Sequence, residues 1–229
     1  MSPNGESAMS KATTVTAIKP QKKGKNRVNL FLDGKFTLGL SASVLDEAGI
    51  HAGQNLSRSE VENLKRADLT QRAMDQALRY LGYRPRSESE VRARLARYGY
   101  EDDVIARTLN RLRTSGLISD TSFATFWKES RVNFSPRSNR LLTQELRQKG
   151  VSSEIIAATT EGIDNETEAY RAGYKKAHSL DKVDYYEFRR KLGAFLHRRG
   201  FDYEVIKSVV DKLWQERELT SEKVKKLER

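Results

Sequence analysis

The chain contains no cysteine. That excludes a disulfide framework and thiol chemistry, and it suits a reducing compartment. Histidine is nearly absent too: His51, His178 and His197 are the only three, in unrelated settings. None sits at the spacing of a metal site or a catalytic pair. Only 37% of residues are apolar, and no apolar run approaches the roughly 18 residues a membrane-spanning helix needs. The N-terminal stretch MSPNGESAMSKATT lacks the apolar core of a signal peptide. Gly24-Lys25 and Gly34-Lys35 lack the preceding glycine and following hydroxyl residue of a phosphate-binding loop. These absences together lead us to expect a cytoplasmic protein with no membrane association, no metal, no cofactor and no enzymatic activity.

What is plentiful is charge. Asp, Glu, Lys and Arg make up 32% of the 229 residues, and Lys+Arg outnumber Asp+Glu by 42 to 31, for a net charge of +11 and a pI near 9.8. A large exposed surface for the length, with this excess of positive charge, points to a polyanionic neighbour.

Residues 1–12 are small and polar and are expected to be disordered. Over about 13–40, Val15 and Ile18 and then Val28, Leu30 and Leu32 are strand-like, the last three alternating with Asn29 and Phe31. Asp33-Gly34 between VNLFL and KFTLGL is a strong hairpin signal, because both turn positions want positive φ. A three-stranded meander follows from this, with QKKGKN as its first loop, where Lys22, Lys23 and Lys25 can either touch phosphates or simply be solvated. From Ser41 the alternation stops. Ser57 and Glu60 form a capping-box signature that opens a helix, and beyond residue 41 the only prolines, Pro85 and Pro136, fall at segment joints. The rest of the chain is expected to be almost entirely helical.

Three glycines, Gly99, Gly150 and Gly200, are spaced 51 and 50 residues apart and centre a repeat. The stretches are EVRARLARYGYEDDVIARTLNRL, LLTQELRQKGVSSEIIAATTEGI and KLGAFLHRRGFDYEVIKSVVDKL. Before each glycine stand the apolar pairs Val91/Leu95, Leu142/Leu146 and Leu192/Leu196, and directly after it Tyr100, Val151 and Phe201. An i, i+4 pair is a buried helix stripe. A glycine behind it is a left-handed C-terminal stop, with the next apolar residue folding back on the last turn. Basic residues precede each glycine and acidic or hydroxyl residues follow it, as the dipoles of an ending and a starting helix prefer. Each unit is therefore helix, tight turn, helix, with a further helical segment upstream: AMDQALRYLGY, DTSFATFWKESRVNF and NETEAYRAGYKKAH. In the second of these Asp120 is cap-like, and Phe123, Phe126 and Trp127 read as core, as does Trp214 near the C-terminal end.

The expected fold is mainly α: three tandem three-helix repeats in an elongated curved array, behind a small N-terminal β-hairpin or meander module. The boundaries are 13–69 for the β module and its connecting helical segment, 70–120, 121–165 and 166–218 for the repeats, and 219–229 for a charged tail.

ALRYLGYRPRSESEVRARLARYGY, followed by LNRLRTSGLISDTSFATFW, resembles the RecX family of bacterial recombination regulators. The carriers of the resemblance are Arg86-Ser87 at the start of the second helix, the glycine that ends it, and the run from Leu112 to Asp120 leading into an aromatic helix. FLDGKFTLGL is similar to the extension that some members carry. The resemblance spans about 13–215 and is weakest in the third repeat, where Glu187 stands in the place of Arg86 and Arg137. It implies a protein that binds the RecA recombinase and above all its filament on single-stranded DNA. It would lie in the filament groove and suppress ATP hydrolysis, strand exchange and co-protease activity by limiting extension or promoting disassembly. Such a protein is expected to be monomeric when free.

The candidate contact residues are the cations at or near the second helices. They are Arg86, Arg92, Arg94 and Arg97 in the first repeat, Arg137, Arg140, Arg147 and Lys149 in the second, and Arg189, Arg190, Lys191, Arg198 and Arg199 in the third. They could meet an acidic protein surface or DNA phosphates directly, while Arg97, Lys149 and Arg199 could equally serve only the helix dipoles. Ser87 and Ser138 read as caps. The competing function is a sequence-specific helix-turn-helix DNA binder. Against it, the recognition position of the second repeat, IIAATTEGI, is apolar and short of donors, and the cations gather on the other helix of each pair.

Overall fold

The computed structural model describes residues 12–22 and 26–227, with side chains as far as 220. The described residues group into two compact units: residues up to Arg84 with Val91–Leu117, and Pro85–Glu90 with Ile118 onward.

The first unit begins with an antiparallel sheet. β1 (Thr13–Pro20), β2 (Arg27–Leu32) and β3 (Lys35–Ser41) form the expected meander. Asp33 and Gly34 close the second hairpin with φ of 48° and 78°, the doubly positive turn that matches strand twist. A fourth strand, β4 (Asn55–Leu56), pairs with β1 and gives the order β3-β2-β1-β4. Two residues are too few to show alternation, so the sequence pattern could not reveal it. Of the loop lysines, Lys22 is exposed, whereas Lys23 and Lys25 lie outside the described residues, as does most of the 1–12 segment. The inner face of the sheet, with Leu30, Leu40 and Leu56 almost fully excluded from water, packs on α1 (Ala42–Glu47) and the start of α2 (Arg58–Leu81). Ser57 accepts from the Glu60 amide while the Glu60 carboxylate accepts from the Ser57 amide, a complete capping box.

One carboxylate joins sheet to helix. Asp68 is buried on α2 and accepts from both terminal nitrogens of Arg27, at 3.2 and 3.1 Å, and from the Ser41 amide at 2.7 Å, with Arg72 at 3.3 Å. A buried carboxylate is tolerable only with its lone pairs filled in this way. α2 continues past this point as one unbroken helix, so the 69/70 boundary falls inside it. α4 (Asp102–Thr114) packs on α2, and α3 (Glu88–Arg97) contributes Val91 and Leu95, both fully buried.

The second unit holds two three-helix repeats. α5 (Asp120–Phe134), α6 (Asn139–Gln148) and α7 (Ser153–Thr160) enclose Phe123, Leu142, Leu146 and Ile156. Trp127 packs against this core, whereas Phe126 is only half-buried. The cap of α5 is Ser119, accepting from the Ser122 amide, and not Asp120. The Asp120 carboxylate instead accepts the Glu88 amide at 2.8 Å and so serves the start of a different helix. α8 (Asn165–His178), α9 (Tyr185–Arg198) and α10 (Tyr203–Leu227) enclose Phe188, Leu192, Leu196, Phe201 and Leu213. Trp214 packs on Phe188 and Tyr185. α10 runs on through the segment read as a tail.

All three repeat glycines have the expected left-handed φ, +81° at Gly99, +76° at Gly150 and +87° at Gly200. In each case the glycine amide bonds three residues back and the next amide five back. Gly150 donates to the Arg147 carbonyl at 3.0 Å and Val151 to the Leu146 carbonyl at 3.2 Å, the paired closure of a Schellman motif. Gly116 at the end of α4 does the same, with Gly116 bonded to Arg113 and Leu117 to Leu112.

Candidate functional site

Because the apolar pairs of α6 and α9 are committed to the core, the cations on those helices must lie toward the flanks or the solvent. What they do there differs. Before α6, Arg137 bonds Glu145 at 2.8 Å; the same carboxylate takes Arg131 at 2.7 Å and the Trp127 indole N–H at 2.8 Å. Lys149 pairs with Glu90 at 2.9 Å and lies 5.2 Å from the Trp127 ring. Arg140 donates to the Gly200 carbonyl at 3.3 Å, and Arg147 is exposed. On α9 and at its end, Arg199 donates to the Ser135 hydroxyl and the Pro136 carbonyl and stacks on Phe195. Burial, and then the nearby Arg137 charge, hold the Arg199 guanidinium below its ordinary pKa. Arg189, Arg190, Lys191 and Arg198 are exposed. In the first unit Arg92 and Arg97 are exposed, while Arg94 sits over the rings of Tyr80 and Tyr98. Arg86 is half-buried just before α3.

Several of these residues lie at joints between second helices. Ser87, fully buried, accepts from the Glu90 amide and donates to the Lys149 carbonyl at 2.7 Å, so the cap of α3 also closes the end of α6. Ser138 caps α6 by accepting from the Leu141 amide, and its own amide donates to the Arg199 carbonyl at the end of α9. The approach is close enough that a Cβ on Gly150 would stand 2.4 Å from Ser89 Cβ. One on Gly200 would stand 2.6 Å from Leu141 Cβ, whereas one on Gly99 would meet nothing. At α9 the pattern changes: its cap is Asp184, and Glu187 bonds the Asp184 carboxylate through its amide and Arg190 and Lys191 through its own carboxylate. Those two partners, Lys191 first, lower the Glu187 pKa.

The cations brought together as a concave surface are those of α9. A groove of about 430 Å³ between α9 and α10 has Gly193, Ala194, Ile206 and Val210 as its apolar floor and Arg189, Arg190, His197, Arg198 and Lys207 along its rim. Arg189 donates to the Tyr203 hydroxyl at 3.3 Å. Among the described residues one carboxylate lines it, Asp211, which accepts from the Tyr185 hydroxyl at 2.6 Å and so raises the Tyr185 pKa. Such a surface suits an anionic partner with an apolar contact at its centre. Lys207 and Tyr203 were not among the sequence candidates; their i, i+4 spacing on the amphipathic α10 was the available signal. Among the described residues no group of three His, Asp or Glu could hold a metal ion, and no helix is long and apolar enough to cross a membrane.

Four family models match the chain in order: the RecX N-terminal domain over residues 13–57 and the first, second and third RecX three-helix domains over 73–112, 119–159 and 164–210. The chain is 30% identical over 203 residues to the regulatory protein RecX of Lactobacillus gasseri, covering 87% of this chain and 74% of that one. It is 30% identical over 204 residues to that of Clostridium perfringens strain 13, covering 87% and 95%. A crystal structure of a regulatory protein RecX superposes with a TM-score of 0.69 at 26% identity, over 87% of this chain and 99% of that one. The RecX of Lactobacillus salivarius has the same fold, with a TM-score of 0.54. With an N-terminal sheet module, three glycine-closed repeats and relatives matched over most of their length, the chain belongs to the RecX family.

Proposed function

We propose that this protein is a regulator of the RecA recombinase. It binds RecA and its filament on single-stranded DNA, and it restrains ATP hydrolysis, strand exchange and co-protease activity by occupying the filament groove and limiting extension or promoting disassembly. The observation that carries this reading is the α9–α10 groove, an apolar floor rimmed by Arg189, Arg190, Arg198 and Lys207, in a chain whose relatives are regulatory proteins by name. Rim charges of this kind steer a partner of opposite sign and fix its register. The protein works as a cytoplasmic monomer without cofactor or catalytic group of its own. The helix-turn-helix reading gains nothing from the geometry: α7, the recognition position of the second repeat, has eight residues and buries Ile156 and Thr160.

The test is RecA's single-strand-dependent ATPase rate, titrated with this protein at substoichiometric ratios and with DNA in excess. Inhibition at a small fraction of RecA is the expected result. No effect at equimolar protein, together with tight duplex binding in the same buffer, would overturn it.

A further inference from the structure

A second concave surface, among α5, α8 and α9, lies outside the arginine set except for Arg199. It encloses about 820 Å³ and is lined by Phe134, Tyr170, Tyr174 and Phe195 together with Arg171, Lys175, Lys176 and Arg199, and among the described residues no carboxylate lines it. Phe134, the last residue of α5, is 86% exposed and Tyr174 46%, so these rings forfeit the stabilisation that burial would give them. Along α8, Tyr170, Tyr174 and His178 follow one another at i, i+4 and i+8 as a ladder of rings, with centroids 5.9 and 4.7 Å apart. Two carboxylates beside the lining residues are already engaged, Glu168 by Arg171 at 3.2 Å and Glu216 by the Tyr170 hydroxyl at 2.9 Å. Among the described residues the Arg199 guanidinium has neutral hydrogen-bond partners, Ser135 and Pro136, and it stands against the positive charge of Arg137. An anion entering the groove would relieve that repulsion.

We infer that this groove binds a segment of single-stranded nucleic acid, its bases stacked on Phe134 and Tyr174 and its phosphates met by Arg171, Lys175, Lys176 and Arg199. Cations alone would serve an acidic protein segment as well. The exposed rings select for bases, since every base has a π-face and single-strand sites combine a basic track with aromatic platforms. A duplex hides its base faces in its own stack, so it would gain only the phosphate contacts. The inference stands apart from RecA binding and concerns a contact this chain makes with the strand itself.

The experiment uses the full chain without RecA, so failure here leaves the regulator reading untouched. Anisotropy of a labelled oligothymidylate of about 12 nucleotides, within the span of typical single-strand sites, is compared with an abasic strand of equal length and with a duplex. The expected result is preference for oligothymidylate over both. The F134A/Y174A pair should lose about tenfold in affinity with its circular dichroism unchanged and its melting only slightly lowered, Phe134 being exposed and Tyr174 half exposed in its ladder. K175Q/K176Q should weaken binding and flatten the salt dependence. Equal binding of abasic strand and oligothymidylate would overturn the proposal, as would F134A/Y174A binding as wild type. So would a glutamate-rich peptide that binds more tightly than oligothymidylate and depends on Phe134, which would make the occupant an acidic protein segment.

Discussion

α6 and α9 occupy the same place in successive repeats, with the same buried leucine pair and the same glycine stop, yet most of their cations stand in different surroundings. Around α6, Arg137 and Lys149 are bonded to Glu145 and Glu90, and Arg140 reaches the Gly200 carbonyl. On α9, Arg189, Arg190, Lys191 and Arg198 stand at the surface and three of the four rim the groove. The cause is position. α6 is held at both ends, by Ser87 at its C-terminal carbonyls and through Ser138 at its start, whereas the N-terminal turn of α9 is capped locally by Asp184. A cation count per helix therefore says little about an interface; the useful quantity is what stays exposed once the joints have taken their share.

The glycines offer the sharpest way to break this comparison. Alanine at Gly99 has only the left-handed backbone to bear, about 1–2 kcal/mol. At Gly150 or Gly200 the new Cβ also runs into Ser89 or Leu141 at 2.4 and 2.6 Å, and relief of such overpacking brings the total to about 2–4 kcal/mol. Urea denaturation should thus rank G150A and G200A well below G99A. Equal losses at all three would mean that the joints are loose and that α6 and α9 are held alike.

Next in size is E145A. It strips Arg131, Arg137 and the Trp127 indole of their common acceptor, at a carboxylate whose side chain is 13% exposed. Leaving guanidinium groups uncompensated at a mostly buried site should cost about 2–3 kcal/mol, read by denaturation. On the other side of the comparison, R189E/R190E touches surface charges whose acidic partner among the described residues is the half-buried Glu187, bonded to Arg190, so stability should stay within about 0.5 kcal/mol. About tenfold more protein should then be needed for half-inhibition of the RecA ATPase. If E145A proved neutral in stability, or R189E/R190E inhibited like wild type, the division between cohesive and presented charge would fail.

Much of this architecture was legible from local rules. The hairpin at Asp33-Gly34, the capping box at Ser57, the cap at Ser87, and the three glycine stops each depend on a few neighbouring residues, and all appear as the pattern implied. What escaped depended on distant partners. Asn55-Leu56 becomes a strand only because the edge of β1 is there to receive it. Asp120 looks like the cap of its own helix but serves the Glu88 amide, 32 positions away in sequence. Glu145 carries no mark in LLTQELRQ to show that it gathers two arginines and a tryptophan. The cations were visible as a set, but sorting them into bonded and exposed required the fold. Phe134, on the same helix as Phe123 and Trp127 but not singled out by any pattern, lies open at the end of α5.

The smallest expected effect extends the comparison to the caps. α5, α6 and α7 are capped by Ser119, Ser138 and Ser152, while α8 and α9 are capped by Asp164 and Asp184, and Asp202 accepts from the Val205 amide in the first turn of α10. Serine caps do not titrate; the Asp164 cap does. Hydrogen bonds from the Thr167 hydroxyl and the Glu166 and Thr167 amides hold the Asp164 carboxyl below its ordinary value of 3.8. A carboxyl lowered in the folded state contributes stability that is complete above its unfolded pKa and is lost as pH falls through the folded one. Glu187 on α9, lowered by Lys191 and Arg190, acts in the same sense. The first turns of α8 and α9 should therefore loosen before those of α5 and α6 as pH drops below about 4. Amide hydrogen exchange, corrected for intrinsic rates, should show protection in the first turns of α8 and α9 falling relative to α5 and α6 between pH 6 and pH 3. Equal loss in both repeats would mean that Asp164 and Glu187 contribute no acid-sensitive stability to these first turns.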